Sequence, residues 1–212
     1  MEHTEADKKP IRRRTGRPLS FDRDTALARA MHVFWRHGYE TSSVADLTTA
    51  MGITAPSLYT AFGDKKRLFL AAVDRYVGDP AAMRDRIEAA PTARDAARDL
   101  LTASAIAFTG EATPPGCLLA SAAASGSAES ADVQHAVAAV RVRVVEALQL
   151  RIARDIADGT LPGDTDPHAL AMLVVALIQG MSVLARDGYG RERLVVMGEA
   201  GLRGWPAAAS PV

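Results

Sequence analysis

One cysteine in 212 residues, Cys117, permits no internal disulfide. Nothing in the chain therefore calls for an oxidising compartment, and the cytoplasm is the expected location. The basic N-terminus lacks the apolar stretch that a secretory signal requires. No segment reaches the roughly 18 to 20 apolar residues of a membrane span. The nearest candidate is an uncharged run of 17 residues from Ala169 to Ala185. It contains Gln179, Gly180 and Ser182 and is bounded by His168 and Arg186, so it reads as a buried or interface helix. Also missing are a nucleophile elbow, a phosphate-binding glycine loop and a cluster of metal-ligand type. His135 and His168 stand alone, without histidine or carboxylate partners one helical turn away. An enzyme is not expected, and neither is a metal or a cofactor.

Net charge is formally zero, but its distribution is not even. Met1 to Gly78 carries 13 Lys/Arg against 9 Asp/Glu, and Asp79 to Val212 carries 12 against 16. Eight of the eleven aromatic residues also precede Gly78. A basic, aromatic head is thus joined to an acidic, aliphatic body, and two differently built units are implied.

Residues 8–19 hold six basic and no acidic residues with two prolines and a glycine, the composition of an extended, unstructured arm. Asp22 then offers an N-cap to a helix in which Leu27, Ala30, Met31 and Phe34 recur at helical spacing until Gly38. Ser43 and Asp46 have the spacing of a capping box, and Val44, Leu47 and Met51 form the apolar face of a short second helix ending at Gly52. Thr54 caps a third helix, with Pro56 in its first turn, that runs to about Phe62. Asp64 opens a fourth.

Beyond Pro80 the pattern stays helical, with no strand-like alternation. Helices are expected from Thr92 to about Phe108, from Cys117 to about Ser125, and from about Val133 to Gly159. In the last of these Arg141, Arg143, Arg151 and Arg154 fall off the apolar face. Two closing helices follow, at about His168–Arg186 and Arg191–Arg203. The fold class is therefore all-α, an N-terminal tri-helical helix-turn-helix followed by a helical body. The divisions are arm 1–19, helix-turn-helix head 20–66, helical body 67–205, and tail 206–212.

Two short helices separated by a glycine turn and preceded by a longer one form a helix-turn-helix. Leu47, Ile53, Leu58 and Phe62 face its small core. That leaves Ala55, Pro56, Ser57, Tyr59 and Thr60 outward, a narrow helix face suited to a major groove about 12 Å wide. Arg17 and Lys65 are candidates for phosphate contact and hence for salt-dependent affinity. The third helix lacks an outward Arg or Asn for bidentate base readout. Specificity is therefore expected from Thr54, Ser57, Thr60, apolar contact to thymine methyls and DNA shape.

From Gly16 to Phe69 the sequence resembles the TetR/AcrR family, in GRP within the arm, ALARAMHVFWRHGYETSSV, and ADLTTAMGITAPSLYTAFGDKKRLF. The resemblance implies that Ser42 and Ser43 bind phosphate, that Thr54 to Thr60 read bases, and that Tyr59 and Lys65 contact the DNA backbone. Ala55-Pro56 and Ala61 depart from residues common in the family, which leaves the operator sequence open. The resemblance further implies a transcriptional repressor acting as a homodimer through its last two helices on a palindromic operator, released by a small molecule bound within the body. Gly198, Gly201 and Gly204 are placed to let helices approach closely at that interface. Phe108, Cys117, Met172 and Gln179 are the candidate cavity residues, with Cys117 read first as a small core residue and alternatively as a thiol sensor. A rival reading is a ligand-independent architectural DNA-binding protein.

Overall fold

The computed structural model describes residues 21–123 and 130–207, so Arg17, the arm and the end of the tail lie outside the described residues. Among the described residues there are helices and no strand. The head comprises α1 (Arg23–His37), α2 (Val44–Met51) and α3 (Ala55–Phe62), followed by α4 (Lys65–Val77). The body comprises α5 (Pro80–Ala89), α6 (Ala93–Phe108), α7 (Leu118–Ala123), α8 (Ala131–Ala157), α9 (Pro167–Arg186) and α10 (Arg191–Gly201), with a terminal 3₁₀ turn at Leu202–Gly204.

The head's helices begin where a short polar side chain satisfies free backbone N–H groups. Asp22 accepts from Thr25 N, Thr54 from Ser57 N and Asp64 from Arg67 N. At α2 the box closes in both directions, since the Ser43 side chain accepts from Asp46 N and the Asp46 carboxylate accepts from Ser43 N. Such caps contribute about 1 kcal/mol each. A helix not singled out from the sequence, α5, is built the same way, with Asp79 as cap and Pro80 at its first position.

Ala30, Phe34, Leu47, Leu58, Leu68, Phe69 and Ala72 are fully buried, and their cluster runs without a break into the body. Helix α4 makes the join, packing on α1 and also on α7 and α8. Gly38 lies at the same seam. Its φ of +82° is costly for any residue with a Cβ, and a Cβ there would stand 2.9 Å from the Ser121 carbonyl oxygen.

In the body, α9 packs on α6, α8 and α10. It is long and apolar enough to cross a membrane by length and composition, yet only 28% of its most apolar window is buried within the chain. Met181 is buried, whereas Met172, Leu173 and Val183 are exposed. Gly198 and Gly201 serve contacts inside the chain. A Cβ at Gly198 would meet Met181 Cε at 2.9 Å, and one at Gly201 would meet Leu177 Cδ1 at 2.5 Å. They let α10 lie close on α9, while nothing lies within 4 Å of the corresponding position at Gly204.

Arg151 departs from the surface position its spacing suggests. It is buried, ion-paired with Asp155, and its guanidinium donates to the carbonyls of Ala90 at 3.1 Å and Pro91 at 2.7 Å. Asp155 also accepts from Ala93 N at 2.7 Å. The pair thus fastens the α5–α6 turn onto α8 with every strong donor engaged.

Candidate nucleic-acid interface

The packing of α2 and α3 decides which side chains face outward. Leu58 and Phe62 of α3 are buried and Ile53 is half-buried. On the opposite face Pro56, Tyr59 and Thr60 are exposed and Ala55 and Ser57 are half-exposed. Tyr59 is 50% exposed, so its ring is free for a partner outside the head. Thr54 is exposed too, but its hydroxyl is shared with Ser57 Oγ at 2.9 Å, and Thr60 Oγ1 donates to the Pro56 carbonyl at 2.8 Å. Each of these hydroxyls keeps acceptor capacity on its outer side.

Ser43 and Ser42 part company. Ser43 is exposed at the N-terminus of α2, with its hydroxyl held in the capping box by Asp46 Oδ2 at 2.6 Å. Ser42 is a correction to the sequence reading. It is 1% exposed, and its hydroxyl donates to the Gly38 carbonyl at 2.6 Å. Its side chain ties the α1 exit to the turn and is not presented to a phosphate.

Lys65 opens α4 and reaches back to that turn. Its ammonium donates to the Glu40 carbonyl at 3.3 Å and stands 4.6 Å from the centre of the Tyr39 ring. Partial burial holds its pKa below the ordinary lysine value, with Glu40 acting the other way. The cation is therefore held beside the entry to α2 and not left to wander in solvent. Arg23, not singled out from the sequence, lies 4.5 Å from the Phe62 ring centre with Nε directed at the Ala61 carbonyl at 3.5 Å. It brings a second cation to the C-terminal end of α3, and the periodicity of α1 gave no sign of this contact.

The body contains a cavity of about 480 Å³, partly open to solvent, between α4, α5, α6, α7, α8 and α9, within the range of small-molecule sites. Phe108, Cys117 and Gln179 line it together with Tyr76 and Arg141. Met172 does not. It is 48% exposed and lies two turns before Gln179 on the same side of α9, beyond the cavity, where it lines an adjoining groove between α8 and α9 that Arg141 and Gln179 also border. Burial pushes the Tyr76 hydroxyl far above the ordinary tyrosine range, so it stays neutral and donates to Cys117 Sγ at 3.4 Å.

A buried polar network runs from this cavity to the head. Trp35 Nε1 on α1 donates to the Gly116 carbonyl at 3.0 Å, and the Trp35 ring meets Tyr76 edge-on with centroids 4.9 Å apart. Cys117 N donates to Ser182 Oγ at 2.8 Å. Arg186, from the end of α9, donates to the carbonyls of Cys117 and Trp35 and to Ser121 Oγ. The end of α1 is thereby bonded to α7 and α9 through residues that also wall the cavity.

A capped tri-helical head with a narrow polar-aromatic face on α3, an exposed serine at the start of α2 and a held lysine defines a DNA-binding protein of the helix-turn-helix class. Comparison with known proteins takes this further. A family described as bacterial regulatory proteins, tetR family, matches residues 26–72, and one described as tetracyclin repressor-like, C-terminal domain, matches residues 96–188. The chain is 36% identical over 198 residues to the HTH-type transcriptional repressor ComR of Escherichia coli (strain K12), spanning 92% of this chain and 94% of that protein. It is 32% identical over 181 residues to the uncharacterized HTH-type transcriptional regulator YezE of Bacillus subtilis (strain 168), spanning 84% and 93%. Its structure superposes with a TM-score of 0.83, at 45% identity over 90% of this chain and all of the other, on a cysteine mutant of the TetR family transcriptional regulator CifR complexed with 26-bp operator DNA. The chain belongs to the TetR family of transcriptional regulators.

Proposed function

We propose that the chain is a transcriptional repressor that binds a palindromic operator as a homodimer in the cytoplasm and leaves it when a small molecule occupies the body. The observation that carries DNA binding is the exposed Pro56, Tyr59 and Thr60 face beside the held Lys65, together with the likeness to a regulator solved on its operator. The homodimer is supported by α9, an apolar helix of which 28% of the most apolar window is buried within one chain. Leu173 and Val183 on α9 and Val196 on α10 are exposed large apolar side chains of the kind subunits cover.

Release is supported by the cavity and by its connection to α1. An occupant that displaces Tyr76 or Cys117 moves groups bonded or stacked to Trp35 and Gly116, and so shifts the head relative to the body. The ligand-independent architectural reading needs no such cavity. No catalytic role is part of this reading, in line with the regulators the chain resembles.

The test joins light scattering with a promoter reporter carrying a genomic fragment selected by the purified chain. A particle of two chains and lowered transcription from that promoter are the expected results. A monomer in solution and on DNA, with unchanged transcription, would sink the proposal.

A further inference from the structure

The chemical class of the effector follows from how the cavity is lined. Its walls are predominantly apolar, with Leu100, Phe108, Leu119 and Val144 among them, and the charged residues along them are Asp79, Arg86 and Arg141. Two cations against one carboxylate leave the lining with one excess positive charge. Asp79 is already engaged as the cap of α5, accepting from Ala81 N at 2.9 Å, and stands at the exposed rim. Arg86 is exposed as well.

Arg141 differs from both. It projects from the middle of α8, is half-buried, and forms no ion pair among the described residues. Its Nη1 is buried and has no hydrogen-bond partner among the described residues. A buried donor left unpaired is costly, and for a charged group the cost is larger than for a neutral one. The contrast lies three turns along the same helix, where the buried guanidinium of Arg151 is satisfied by Asp155, Ala90 and Pro91. Gln179 lines the cavity with Arg141 and offers an amide that can donate to a second oxygen.

We propose that the cavity takes a small molecule with an apolar body and a single carboxylate, the carboxylate pairing with Arg141 and the apolar body lying against Leu100, Phe108 and Val144. One anionic charge matches the excess charge of the lining, and the flat, two-oxygen carboxylate matches a guanidinium edge. This inference rests on the reading of the cavity as the effector site, and it adds what that effector must carry.

Octanoate, 1-octanol and octylammonium are suitable probes, sharing one chain and differing in charge. Calorimetric titration of the full chain should give octanoate binding about tenfold to a hundredfold tighter than 1-octanol, the worth of a buried charge-assisted hydrogen bond, with octylammonium weakest. Arg141→Met should erase the preference for octanoate over 1-octanol. Because it removes an unpaired buried donor, it should melt no lower than the parent chain. Arg141→Lys keeps the charge and should retain part of the preference. Equal binding of octanoate and 1-octanol, an undiminished preference in Arg141→Met, or no binding of any probe would overturn the carboxylate site. The same titrations repeated on a chain–DNA complex separate the two claims. Arg141-dependent octanoate binding that leaves DNA affinity unchanged would uphold the site and remove its role in release.

Discussion

Trp35 donates its indole N–H to the Gly116 carbonyl at 3.0 Å, a buried bond between residues 81 positions apart that joins the last turn of α1 to the segment entering α7. Gly116 sits at φ +78°, and a Cβ there would stand 2.7 Å from both the Ser182 carbonyl oxygen and Arg186 Nε. The junction between DNA-binding head and body is therefore fixed by close backbone approach and directed bonds, beyond apolar contact alone. Trp35→Phe keeps a ring against Tyr76 but strands the Gly116 carbonyl. Chemical denaturation should show a loss of about 1 to 3 kcal/mol. An unchanged midpoint and slope would show that the bond does not hold the junction.

Lys65 is restrained by Glu40 and Tyr39 near the α2 terminus. Lys65→Ala should weaken binding to selected and unrelated duplexes alike and lower the salt slope of log K by about one. A full slope in the variant would mean that Lys65 serves only the turn.

The Arg151–Asp155 pair is buried on both sides. Asp155→Ala leaves the guanidinium without its anion and Ala93 N without its acceptor, so the loss should be about 3 to 5 kcal/mol in urea or guanidinium unfolding. Arg151→Met combined with Asp155→Leu should recover part of it. Additive losses in the double variant would contradict coupling between the two.

The cap carboxylates set an acid limit. A hydrogen bond from Thr25 N lowers the pKa of Asp22, the Ser43 hydroxyl lowers that of Asp46, and the Thr92 hydroxyl lowers that of Asp95. A carboxylate whose folded pKa lies below its unfolded value gives stability that is present above about pH 4 and lost as the pH falls through the folded pKa. Melting temperature should therefore be flat near neutrality and fall below about pH 4. Asp46→Asn should lower the plateau and make the acid fall shallower, and a slope identical to the parent's would remove Asp46 from the cause.

Local chemistry made the head legible in sequence. Asp22, the Ser43 and Asp46 pair, Thr54 and Asp64 each declare a helix start within a few residues, and the inward set Leu47, Leu58 and Phe62 fixes which face of α3 remains outside. What depends on tertiary contact was not legible. Ser42 and Ser43 differ only in which one faces the carbonyl of Gly38. Arg151 and Asp155, four apart, have the spacing of a solvated surface pair until the Ala90–Pro91 turn docks over them. Met172 and Gln179, seven apart, share one side of α9, yet the cavity reaches only as far along the helix as Gln179 and Val175.

Footprinting of the purified chain on fragments it selects from sheared genomic DNA tests most directly that α3 heads of two chains read one operator. The expected result is protection of a two-fold-symmetric sequence with half-site centres about 34 to 36 Å apart along the duplex, reduced strongly by Tyr59→Ala and redirected to different bases by Thr60→Val. Protection without symmetry or sequence preference, unchanged in both variants, would contradict it.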